Sequence, residues 1–183
     1  MKGLIIFENG MEDNEGISSR ALLRRAAVEV NSVTTNPEKT VRTGYGLKVH
    51  VDYHIDEIKL EDYDFLIVPG GPYIAGIYNK HTVLNDIIMH FVNHNKLIGA
   101  ICAAPRLLGY MGLLEGLEFT CYPGIETDVK GGIYRPDLKV IQTGNFVTSR
   151  SSGTVVEFIY EMVRILFNRS KAEALLNHLV WSR

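Results

Sequence analysis

The sequence predicts an α/β domain, a mostly parallel sheet covered by helices on both faces. Three observations carry this. Short apolar runs alternate with amphipathic helical stretches along the whole chain. Several of those runs are apolar at every position, as in strands buried on both sides. Hydrophobic residues make up 46% of the 183, enough for one domain with a sizeable core and too many for a disordered chain.

Leu4–Phe7 reads as the first strand, closed by Asn9-Gly10. Gly16–Ala27 reads as a helix, with Ile17, Ala21, Leu22 and Val28 on one stripe and Arg20, Arg24 and Arg25 mostly off it. Val28–Thr34 is β-branched and fits a second strand. Val41–Val51, with Gly44 and Gly46, reads as a hairpin or an excursion outside the main sheet. Phe65–Val68 is a third buried strand, ended by Pro69-Gly70-Gly71-Pro72. His81–Asn93 places Leu84, Ile87, Ile88, Phe91 and Val92 at helical spacing. Leu97–Ile101 is a strand leading directly into Cys102, and Pro105–Leu114 is helical, with Pro105 suited to a first turn. Leu117–Cys121 and Val140–Thr143 read as strands, and Phe146–Thr148 as a short apolar piece before a polar turn. Thr154 and Glu157 have capping-box spacing at the head of a helix running to Phe167. Ser170 and Glu173 repeat it, which predicts a last helix from Lys171. No repeat or linker divides the chain, so one domain over residues 1–183 is expected.

Composition excludes several classes. The net charge is −2, from 19 basic and 21 acidic residues, and gives no electrostatic case for nucleic acid or an anionic membrane. No apolar run reaches the roughly 18 residues of a membrane span, and Leu4–Phe7 is too short for the h-region of a signal peptide. Two cysteines, Cys102 and Cys121, make neither a disulfide scaffold nor a CxxC metal pair. A cytoplasmic protein with reduced thiols is the expectation. His90 and His94 are four apart but lack the HExxH pattern and a third ligand, so no metal is expected.

In parallel sheets ligands bind at the carboxyl ends of the strands. That rule selects the Asn9–Glu15 turn, the Gly70-Gly71 turn and Cys102. Strand, cysteine, two alanines and Pro105 at the start of a helix make the pattern of a nucleophile elbow with a thiol. A helix N-terminus would favour the thiolate, and free amides there would hold an oxyanion. Cys121 lacks this context and reads as core. The polar turn at Ser149, Ser151 and Ser152 is accounted for by capping.

AICAAP around Cys102, VPGG (Val68–Gly71), GMEDNEG (Gly10–Gly16) and the TSR..GT segment (Thr148–Thr154) together resemble the ThiJ/PfpI superfamily, in the branch of the Parkinson-disease protein deglycase. The resemblance covers essentially the whole chain. It implies a flavodoxin-like three-layer sandwich, a homodimer, and an oxidation-prone cysteine at the elbow. Carried over, Cys102 falls on the reactive cysteine and Glu15 on its acidic partner, while the N–H groups of Gly71 and Ala103 fall on the oxyanion site. Arg25 matches an arginine of the first helix. Ala103 stands where other branches have histidine after the cysteine, so their Cys-His dyad is absent. Tyr122 stands where the deglycase branch often has a histidine, and Tyr45 near the place of a hairpin arginine, with Arg42 out of register. A tyrosine is a poor base at neutral pH.

The implied activity is glyoxalase or deglycase-like handling of an α-oxoaldehyde or a glycated substrate, with no cofactor and no glutathione. For Glu15 the chemistry asks for a neutral carboxylic acid beside a thiolate, since two anions in one desolvated site repel. The alternative is a redox-sensing stress-response protein using the same cysteine. A cysteine hydrolase is a third reading, and needs a histidine near Cys102.

Overall fold

The computed structural model describes residues 1–182. The first half of the chain runs β1 (Lys2–Ile6), α1 (Ser19–Arg25), β2 (Glu29–Thr34), β3 (Thr40–Arg42), β4 (Lys48–His50), β5 (Tyr53–His54) and β6 (Phe65–Val68). It continues α2 (Tyr73–Ile77), α3 (Val83–Asn93), β7 (Leu97–Ile101), α4 (Pro105–Tyr110), β8 (Glu118–Phe119) and β9 (Ile133–Tyr134). Strands β10 (Val140–Thr143) and β11 (Phe146–Ser149) and helices α5 (Val155–Leu166) and α6 (Arg169–Leu179) complete it.

The main sheet has the order β10-β11-β7-β6-β1-β2-β5. All its pairings are parallel except β10 with β11, which is antiparallel. Strand alternation divides the core in two. Leu4, Ile6, Leu66, Val68, Ile98 and Ala100 pack on one face with Leu84, Ile88 and Phe91 of α3 and Leu107 and Leu108 of α4. Ile5, Phe65, Ile67 and Ile101 pack on the other with Leu22 and Leu23 of α1, Phe158, Ile159 and Met162 of α5, and Leu175 of α6. Each fully buried side chain of this size contributes about 1.5–3 kcal/mol. Because β1, β6 and β7 bury both faces, they carry no polar residue beyond Lys2 at the open end of β1, which is why their sequences read as apolar runs.

Several sequence expectations are corrected. The helix expected from Gly16 opens with a π turn, Asn14–Ser18, before α1. A Cβ on Gly16 would stand 2.7 Å from Met11 Sδ, so a larger residue there would push the Met11 side chain aside. Helix α4 stops at Tyr110, and Gly112 follows at φ +72°. Of Leu117–Cys121 only Glu118–Phe119 is strand, paired with β9 outside the main sheet. Thr154 does not cap α5 through Glu157. Its hydroxyl is engaged by Ser149 Oγ (2.7 Å) and the Ser151 carbonyl (2.7 Å) in a 3-10 turn, Ser152–Thr154. Likewise α6 begins at Arg169, two residues earlier than Ser170 suggests: Asn168 Oδ1 accepts the Lys171 N–H at 2.9 Å. The excursion at Val41–Val51 is the antiparallel β3–β4 hairpin.

Candidate active site

Strand β7 ends at Ile101, and the chain turns through Cys102 before α4. Cys102 has φ +63°, in the left-handed region. A side chain there costs about 1–2 kcal/mol. Two hydrogen bonds fix the turn: the Cys102 N–H donates to the Ser149 carbonyl (2.9 Å), and the Tyr122 N–H donates to the Cys102 carbonyl (3.0 Å). The thiol is partly exposed and packs on the α1–α5 side of the sheet. Cys121 is fully buried on the other side, its thiol turned to the Tyr122 carbonyl.

Glu15 approaches the same thiol from the π turn before α1. It is 0% exposed. Its Oε2 accepts the Gly70 N–H at 2.8 Å. Its Oε1 is buried with no aligned hydrogen-bond donor, although the Cys102 thiol and the Ser152 N–H both lie close enough to act on the carboxyl. The turn is held by Glu12, whose N–H donates to the Gly70 carbonyl (2.9 Å) and whose Oε2 accepts the Glu15 N–H (2.7 Å). Asn14 Nδ2 donates to the Ser152 carbonyl (2.8 Å), fastening the turn to the segment before α5.

Burial pushes the Glu15 carboxyl up to about 7, against the pull of the thiol and the Gly70 N–H. Burial also raises the Cys102 thiol, and the Glu15 charge raises it further; the Ala103 N–H opposes both. The resting thiol is therefore not activated as the elbow pattern alone predicts. Desolvation and a neighbouring carboxylate outweigh the amide at the start of a six-residue helix. Near neutral pH the carboxyl is thus poised to take up or release a proton while the resting thiol keeps its own, and the two groups in contact titrate as a unit.

Of the other residues singled out in the sequence, Ala103 places its N–H at the sulfur. Gly71 has φ +123°, and a Cβ there would meet the Gly10 carbonyl at 2.4 Å, so it seats the strand-end turn on the Gly10–Glu12 loop. Tyr122 is 52% exposed beside the elbow. Arg25 is exposed in the last turn of α1, at the opposite end of the helix from Glu15. The six histidines fall at or near β4, β5, α3 and α6, and none supplies a hydrogen bond or charge acting on Cys102.

Gly70 escaped the sequence reading in its role. A Cβ on it would stand 2.8 Å from both Cys102 Cβ and Glu15 Oε2 and 2.7 Å from the Ala103 nitrogen. A glycine pair closing a buried strand is the signal, but not which glycine touches the nucleophile. Ser152, whose N–H acts on the Glu15 carboxyl, shows in the sequence only the signal of a capping turn.

Among solved structures, oxidized DJ-1 of Toxoplasma gondii superposes with a TM-score of 0.92 at 27% identity, covering 100% of this chain and 99% of that one. Drosophila melanogaster DJ-1beta gives 0.91 at 27% identity, covering 100% and 98%. The fold is thus the flavodoxin-like sandwich of those proteins. In sequence, Deglycase PfpI of Pyrococcus furiosus is 32% identical over 169 residues, 91% of this chain and 99% of the relative. Residues 1–165 match the DJ-1/PfpI family, and the chain belongs to it.

Proposed function

We propose that the chain is a cysteine-dependent enzyme of the glyoxalase or deglycase type, converting an α-oxoaldehyde such as methylglyoxal to its α-hydroxy acid without cofactor or glutathione. The observation that carries this is the buried Glu15 carboxyl set against the Cys102 thiol, near its own point of half-ionisation at neutral pH. Relatives named as deglycases support it.

Glu15 takes the thiol proton as sulfur bonds to the aldehyde carbon, and the carbonyl electron pair moves to oxygen. The Ala103 N–H, with Gly71 the second candidate donor, steadies that oxygen, and Glu15 returns the proton to it, giving a hemithioacetal. Glu15, ionised again, removes the proton from the former aldehyde carbon while the hemithioacetal hydroxyl proton passes to the neighbouring ketone oxygen, and Glu15 returns its proton to the carbon that bears that oxygen. The product is a thioester, which water hydrolyses to the hydroxy acid and the free thiol. A glycated amine would enter at the same carbonyl. The site would work in a homodimer.

Lactate formation from methylglyoxal without glutathione tests the reading. The native chain should turn over and Cys102→Ser should not. Equal rates in the two would remove Cys102 from the chemistry.

One observation favours a second reading, oxidation sensing. The unengaged Glu15 Oε1 would accept a hydrogen bond from a sulfenic acid formed when peroxide oxidises the thiol and leaves as water. Glu15→Gln separates the two, since it should abolish turnover and only shift the rate of oxidation.

A further inference from the structure

A cleft of about 430 Å³ opens beside the elbow, with Tyr122, Pro123, Lys139, Arg150, Ser151 and Thr154 among its walls. Both sides are anchored on the nucleophile's own backbone. Tyr122 donates its N–H to the Cys102 carbonyl, and the Cys102 N–H is held by Ser149, the residue before Arg150. The walls of the cleft thus flank the backbone of Cys102.

Two cations line it, and they differ. Lys139 Nζ is 2.7 Å from Glu157 Oε1, so its charge is answered within the fold. Arg150 is half-buried, and among the described residues no carboxylate pairs with its guanidinium. The acidic groups at the elbow are engaged elsewhere: the Glu12 carboxylate accepts the Glu15 N–H, and the Glu15 carboxyl accepts the Gly70 N–H and faces the thiol. A guanidinium presents five N–H donors in a planar fork, which matches a carboxylate through two parallel hydrogen bonds. Taken partly out of water with no internal acceptor, it favours an anion arriving from outside.

We propose that Arg150 is a specificity-determining residue that holds the carboxylate of an anionic substrate, an α-oxoaldehyde carrying a carboxylate beyond its keto group. The proposal rests on the reading of Cys102 as a nucleophile toward carbonyls. With the carboxylate on Arg150, the aldehyde end points back toward the elbow. The guanidinium also offsets the repulsion that Glu12 and Glu15 exert on any anion approaching the sulfur.

The test compares alkylation of Cys102 by iodoacetate and by iodoacetamide, reagents of nearly the same size that differ in charge. In each the sulfur displaces iodide from the methylene carbon and the thiol proton is lost. Rates are read by mass spectrometry of the Cys102 peptide, for the native chain, Arg150→Gln and Arg150→Lys. The ratio of iodoacetate to iodoacetamide rates should fall about tenfold in Arg150→Gln, fall less in Arg150→Lys, and shrink toward the Gln value as salt is added to the native chain. The same ratio in native protein and Arg150→Gln overturns the proposal. This outcome is independent of lactate formation: an inactive chain with an Arg150-dependent ratio refutes the enzyme reading alone, and an active chain with an unchanged ratio refutes the role of Arg150 alone.

Discussion

Glu15 makes the stability of the protein depend on pH in a direction opposite to that of a salt-bridged carboxylate. Its carboxyl is raised from 4.5 to about 7 by burial. Between those values the folded chain keeps a proton that the unfolded chain has released, so stability falls as pH rises through that window. Below about 4.5 the group is neutral in both states and contributes nothing; above about 7 the whole penalty is present, at most about 3 kcal/mol. Glu15→Gln has no such proton. Measured by urea unfolding, the variant should gain roughly 2–3 kcal/mol on the native chain between about pH 4.5 and pH 7.5. A difference that does not change with pH would mean that the carboxyl is not raised.

At the scale of elements, the β3–β4 hairpin is laced to the loop that carries Glu15. Asp13 accepts the Thr43 hydroxyl at 2.7 Å and the Tyr45 N–H at 3.0 Å. The Gly44 N–H donates to the Met11 carbonyl (2.7 Å) and the Gly10 N–H to the Arg42 carbonyl (2.8 Å). Asp13→Ala removes two charge-assisted bonds and should cost about 1–2 kcal/mol. Faster amide exchange at Tyr45 and Leu47 would show it, and unchanged protection there would contradict it. The strands were legible because their apolar runs answer to burial on both faces, and Cys102 because it directly follows such a run, whereas Glu15 stands nine residues beyond the end of β1 and was marked by the family resemblance. What could not be read depends on which of several equivalent groups wins. Thr154 could cap α5 or bond Ser149, and Asn168 and Ser170 compete for one helix end. The thiol's surroundings are not legible because the amides of the elbow are local in sequence, while the burial and the Glu15 carboxyl that raise the thiol come from segments distant in sequence.

At the scale of the whole molecule, one sheet joins two cores. Leu4 and Ile5, adjacent in sequence, belong to different cores, as do Leu66 and Ile67. Neither helix layer can leave without exposing one entire face of β1, β6 and β7. Thermal unfolding should therefore be a single transition, with near- and far-ultraviolet circular dichroism coinciding. Two separated transitions would show that one layer melts alone. Among the described residues no helix is long and apolar enough to cross a membrane, and no cluster of His, Cys, Asp and Glu is suited to a metal ion.

The left-handed backbone at Cys102 has a consequence for anyone improving this protein by selection. The residue that best suits that conformation is glycine, which has no sulfur. Heat resistance and chemistry thus pull position 102 in opposite directions, and a library sorted for survival at high temperature alone would reward clones that have discarded the nucleophile. Only a selection that scores the reaction alongside the melting point would keep it.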